Sequence, residues 1–85
     1  MKTMINHATL HTFLTVYRLG SQTKAAVALH LTQPAVFQHL KSLEAQIGKP
    51  LFKREGKYIR ATLVGHQLAL SLAPHMLATP VINSI

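Results

Sequence analysis

Six cations crowd into residues 41–60: Lys41, Lys49, Lys53, Arg54, Lys57 and Arg60. Each is suited to neutralising a phosphate and displacing its counterion. Just upstream, Gln33 and Gln38 carry carboxamides, which donate and accept hydrogen bonds at once and so match base edges as well as phosphate oxygens. Nine Lys and Arg face only Glu44 and Glu55, a formal charge of +7 over 85 residues. So large an excess in so short a chain points to a polyanion, either nucleic acid or an anionic membrane surface. A charge run is often no more than a solvated face. Here its confinement argues for contact, since residues 61–85 contain no Asp, Glu, Lys or Arg.

Other chemistries find little support. The chain has no Asp, both carboxylates lie in the basic stretch, and neither a Gly-rich phosphate loop nor a Ser-His-acid set can be assembled, so no enzyme is expected. His7 and His11 stand at i, i+4 but lack a third ligand, and no metal site is expected. His39 could approach a phosphate; His30, His66 and His75 are given no role. No cofactor is called for. The absence of cysteine rules out disulfides and thiolate metal sites. The N-terminus lacks an apolar run with a small-residue cleavage site, so cytoplasmic residence is expected. The uncharged tail is no membrane span, because His66, Gln67, Pro74, His75 and Pro80 interrupt it.

The elements that would position these groups follow from periodicity and punctuation. A chain of this length with 48% hydrophobic residues makes one small globular domain. Leu10, Phe13, Leu14 and Tyr17 form one apolar face of a first helix running from about Asn6 or Ala8 to Arg18. Gly20 stops it and Ser21 caps a second helix, in which Ala25, Ala26 and Leu29 allow close packing. Thr32 caps a third, with Gln33 and Pro34 in its first turn and Gly48 at its end. At about 100° per residue, Val36, Leu40, Leu43 and Ile47 share one face. Pro34, Gln38, Lys41 and Ala45 lie opposite. Two helices this close form a helix-turn-helix, the second offering its outer face to a groove in DNA.

Residues 51–61 read as two short strands around Glu55-Gly56, a small basic hairpin or wing. Thr62 caps a fourth helix with two apolar stripes. Val64, Leu68 and Leu72 are expected to cover the core. Leu63, Leu70 and Leu77, flanked by His66 and Ala73, are expected to meet another subunit. Pro74 should bend or end that helix within about a turn.

Together these residues resemble the N-terminal DNA-binding domain of LysR-type transcriptional regulators. The resemblance spans roughly Leu10 to Leu72. It rests on Phe13, Gly20-Ser21, Ala25-Ala26 with Leu29, Thr32-Gln33-Pro34-Ala35-Val36, Leu43-Glu44, Gly48, Leu51-Phe52 with Arg54, and Thr62 with Gly65. Molybdate-responsive regulators share a similar domain. The resemblance implies a mainly α fold: a winged helix-turn-helix (three-helix core, small β-hairpin wing) over residues 1–61, then a long C-terminal linker and dimerisation helix with a hinge over 62–85. It implies sequence-specific binding of double-stranded DNA at an imperfect inverted repeat, by a homodimer paired through the fourth helix, regulating transcription. It places Gln33, Pro34, Gln38, Lys41 and Arg54 at DNA, and the basic wing adds Lys53 and Lys57. Phe37 stands where the family most often has a DNA-contacting Ser; it offers an aromatic edge instead of a hydroxyl. Gln22 stands where an aromatic packing residue is common.

Family members continue into a two-lobed domain that senses a small molecule. Nothing in these residues supplies such a pocket, so no small-molecule ligand is expected, and the chain is expected to be a fragment or a naturally truncated product. A rival reading makes it an interaction module that pairs with full-length relatives through its fourth helix and has little DNA affinity of its own.

Overall fold

The computed structural model describes residues 6–56 and 58–76, with side chains as far as residue 72. Lys57, Leu77 and the expected hinge therefore lie outside the described residues, as does the side chain of Ala73. The elements run α1 (His7–Leu19), α2 (Gln22–Leu29), α3 (Gln33–Ile47), β1 (Phe52–Glu55), β2 (Tyr58–Ala61) and α4 (Leu63–Met76). The two strands pair antiparallel, with Lys53 opposite Arg60 and Arg54 opposite Ile59. This is the expected mainly α, winged helix-turn-helix architecture, with α4 described two residues past Pro74.

Local chemistry sets most boundaries. The Asn6 side chain accepts from the Ala8 N–H, Ser21 from Lys24, Thr32 from Ala35 and Thr62 from Gly65. Each satisfies one donor that a helix start leaves unpaired. Gly20 and Gly48 close α1 and α3 in the left-handed region. His30 does the same for α2, at φ 60°, and is the one non-glycine with positive φ among the described residues.

Phe13 sits at the centre of the core, fully buried, its ring 6.0 Å from Tyr17 and 5.4 Å from Phe52. Val36, Leu40 and Leu43 seat α3 beneath it, while Ala25 and Ala26 let α2 approach closely. The buried side of α1 is wider than its leucines suggest: Thr9, Thr12, Thr15 and Val16 are buried as well. Thr9 and Thr15 donate to the backbone carbonyls of Asn6 and His11, and Thr12 Oγ1 bonds His39 Nδ1 at 2.7 Å. Ala69 of α4 joins this core, with Val64, Leu68 and Leu72 packed around it.

Candidate nucleic-acid interface

The third helix divides its faces cleanly. Val36, Leu40 and Leu43 are buried and Ile47 half-buried, whereas Gln33, Pro34, Gln38, Lys41 and Ala45 are exposed. Phe37 keeps 46% of its surface open although it is aromatic. Thr32 fixes the start of this helix, so the direction of Gln33 and Pro34 is set by a capped first turn.

The wing stands beside that face. Strand alternation puts Phe52, Arg54 and Ile59 on the inward side and Lys53, Glu55, Tyr58 and Arg60 on the outward side. A crevice between α3 and the wing is lined by Phe37, Leu40, Lys41, Phe52, Lys53 and Arg54. A second, at the starts of α2 and α3, is bordered by Thr23, Lys24, Gln33, Arg54 and Tyr58. Arg54 thus lies between the two, adjoining both the helix start and the wing.

Glu44 joins the wing to α3. Its Oε2 accepts from the N–H groups of Leu51 (2.8 Å) and Phe52 (3.4 Å), and its Oε1 lies 3.7 Å from Lys41 Nζ. Lys41 Nζ also stands 5.4 Å from the centre of the Phe37 ring. Glu44 makes no ion pair with Arg54; the hairpin pairs Arg60 with Glu55 at 3.0 Å. Among the described residues, Lys24, Lys53 and Arg54 carry no ion pair, which leaves three cations beside wing and helix without a carboxylate partner.

Of the residues expected from sequence, Gln33 and Arg54 border one crevice, and Phe37, Lys41, Lys53 and Arg54 line the other. Gln38 and Pro34 lie on the exposed outer side of α3 beyond both. Lys24, Tyr58 and Glu44 were not anticipated as members of this surface. Lys24 is brought in by α2 and Tyr58 by the strand register, neither of which leaves a local signature. His39 turns one ring nitrogen inward to Thr12 rather than presenting both to a ligand. His7 and His11 are exposed on α1.

On α4, Leu63 and Leu70 are 72% and 70% exposed, while Val64, Leu68, Ala69 and Leu72 face the core. His66 lies between the two sides. Its Nδ1 is 2.9 Å from the Tyr17 hydroxyl, and the two rings meet edge to face.

Comparison with known proteins gives this geometry its family. The model for the lysR family of bacterial regulatory helix-turn-helix proteins matches residues 7–66. The chain belongs to that family. It is 48% identical over 69 residues to the HTH-type transcriptional regulator AbaB of Streptomyces antibioticus, covering 81% of this chain and 23% of AbaB. The chain thus spans about a quarter of that relative's length. A LysR-family transcriptional regulator of Eggerthella lenta has the same fold at 41% identity and a TM-score of 0.76, covering 80% of this chain and 97% of that one. The DNA-binding domain of BenM, solved as a complex with catB site 1 DNA, shares the fold at 24% identity and a TM-score of 0.79, over 96% of this chain and 89% of that one. In LysR-family terms, residues 7–66 are the helix-turn-helix domain with its wing and the start of α4.

Proposed function

We propose that this chain binds double-stranded DNA sequence-specifically as a homodimer and so regulates transcription. One observation carries the reading: α3 is seated by Val36, Leu40 and Leu43 and turns Gln33, Gln38 and Lys41 outward, beside a wing whose Lys53 and Arg54 form no ion pair among the described residues. A helix so presented fits a major groove, and the wing then meets the flanking backbone. Gln33 and Gln38 supply hydrogen bonds to bases or phosphates; Pro34 and Phe37 supply apolar contact. Lys53, Arg54 and Lys57 neutralise phosphate. Residues 1–61 form the reading unit and residues 62–85 the linker and dimerisation unit. Leu63, His66, Leu70, Ala73 and Leu77 meet their counterparts across a two-fold axis, so the DNA site is an imperfect inverted repeat. The setting is cytoplasmic; no described helix is long and apolar enough to cross a membrane.

Mobility shift on duplexes enriched from a random library tests this reading. A dimer touching about six to ten phosphates gives a plot of log K against log salt with slope roughly −5 to −9. Arg54→Ala lowers affinity for all sequences alike, whereas Gln33→Ala relaxes preference at one position per half-site. An unchanged ranking of duplexes for Gln33→Ala removes its base-reading role. The exposed Leu63 and Leu70 also favour a second reading, an interaction module that pairs with longer relatives. That reading predicts dimers that bind no duplex in preference to another.

A further inference from the structure

The flank of α3 that faces the wing carries one residue whose chemistry is out of place beside a wet, cationic surface. Phe37 is nearly half exposed, on a helix whose other outward residues are polar, small or charged. It has a charged neighbour. Lys41, one turn along, holds its ammonium 5.4 Å from the ring centre. Glu44 Oε1 lies 3.7 Å from the same ammonium. The carboxylate is fixed in turn by the backbone N–H groups of Leu51 and Phe52. A ladder of carboxylate, ammonium and ring therefore runs from the half-buried wing junction out along the wing-side flank of α3.

The geometry points to Phe37 as a reader of the thymine C5-methyl group in the major groove, with Lys41 as its positioning residue. This rests on the DNA-binding reading above. Four kinds of base edge line a major groove, and all are polar except at one place, the methyl of thymine. A ring presented there gains nothing from guanine, adenine or cytosine edges and loses water against the methyl. The ladder also assigns Lys41 a task distinct from that of Lys53 and Arg54. Its charge is engaged at both ends, by a carboxylate and by a π face, so its removal acts on the ring more than on phosphate.

The probe is uracil, which is thymine without the methyl. Duplexes enriched on the wild-type protein are synthesised with thymine or with uracil in both strands, and the affinity ratio is measured for each variant. The ratio compares two ligands on one preparation, so a partly unfolded variant does not distort it. Burial of one methyl corresponds to about fourfold per half-site, hence about fifteenfold for two. Wild type should show a ratio of that order, and stepwise single uracils should trace it to one position per half-site. Phe37→Ala should bring the ratio close to one; Lys41→Met should lower it and Lys41→Arg restore it. Equal affinity of wild type for both duplexes, or an unchanged ratio in Phe37→Ala, overturns the methyl reader. A full ratio in Lys41→Met overturns the positioning role. Failure to enrich or bind any duplex overturns the DNA-binding reading itself.

Discussion

Gly65 should be intolerant of even one methyl group. It lies buried in the first turn of α4, where helix propensity alone favours alanine by about 0.5–1 kcal/mol. A Cβ there would press into the Leu51 carbonyl oxygen and stand 3.2 Å from its carbonyl carbon and 3.4 Å from the Ala61 Cβ. The obstacle is backbone, and it is held on both sides: Leu51 O accepts from Thr62 N at 2.9 Å, and Leu51 N donates to Glu44. Overpacking of this kind costs about 1–3 kcal/mol, towards the upper end where no side chain can rotate away. The net loss for Gly65→Ala is then roughly 1–2 kcal/mol, a fall in Tm of about 5–15 °C for a domain of this size. Thermal and urea unfolding followed by circular dichroism measure it, with the exposed Ser71→Ala as control, expected within about 0.5 kcal/mol of wild type. A Tm for Gly65→Ala at or above wild type would refute the close approach of α4 to Leu51.

Three further outcomes follow from single contacts. Glu44→Ala leaves the Leu51 N–H without its acceptor and should cost about 1–3 kcal/mol in urea unfolding; unchanged stability with merely higher DNA affinity would mean that Glu44 acts only as a charge. His30→Gly relieves a left-handed residue of its Cβ and should stabilise by roughly 1 kcal/mol, read as a raised Tm; a lowered Tm would show that the imidazole makes a stabilising contact. Leu70→Glu places a charge on the exposed stripe of α4 and should shift the sedimentation of the proposed dimer to that of a monomer, and an unchanged profile would remove Leu70 from the proposed interface.

Features written in local chemistry were legible before any coordinates. Ser21, Thr32 and Thr62 cap helices because a side-chain oxygen two or three residues from a free N–H needs no tertiary help. The inward stripe of α3 follows from period alone. What escaped was chemistry that exists only between elements. The threonines of α1 look like surface residues, yet two of them bury their hydroxyls against their own helix turns or the N-cap carbonyl and Thr12 reaches across to His39. The α2–α3 turn has no glycine to announce it, so the left-handed conformation of His30 was invisible. Nothing local marks Glu44 as a structural acceptor; the chain after Gly48 turns the Leu51 and Phe52 amides onto its carboxylate. Lys24 and Tyr58 reach the candidate interface through packing and strand register, which no short motif encodes.

The size of the domain bears on how two copies would share one DNA site. One reading helix and one wing give a monomer few contacts, and contacts dominated by phosphate fade steeply with salt. Pairing doubles them without adding a residue, provided that the two α3 helices meet grooves on the same side of the duplex, about 34–36 Å apart. The described residues extend 38 × 34 × 25 Å, so two copies of the proposed pair need not overlap when equivalent helices stand that far apart. The exposed Leu63 and Leu70 lie on the side of α4 turned away from the core, where such an abutment can form. Inserting five base pairs between half-sites rotates one by about half a turn and removes it from that side. Affinity at physiological salt should then fall at least about tenfold, towards that of a single half-site. Mobility shift across a series of spacings makes the test, because equal affinity at every spacing means that each copy binds alone and that α4 holds no fixed pair.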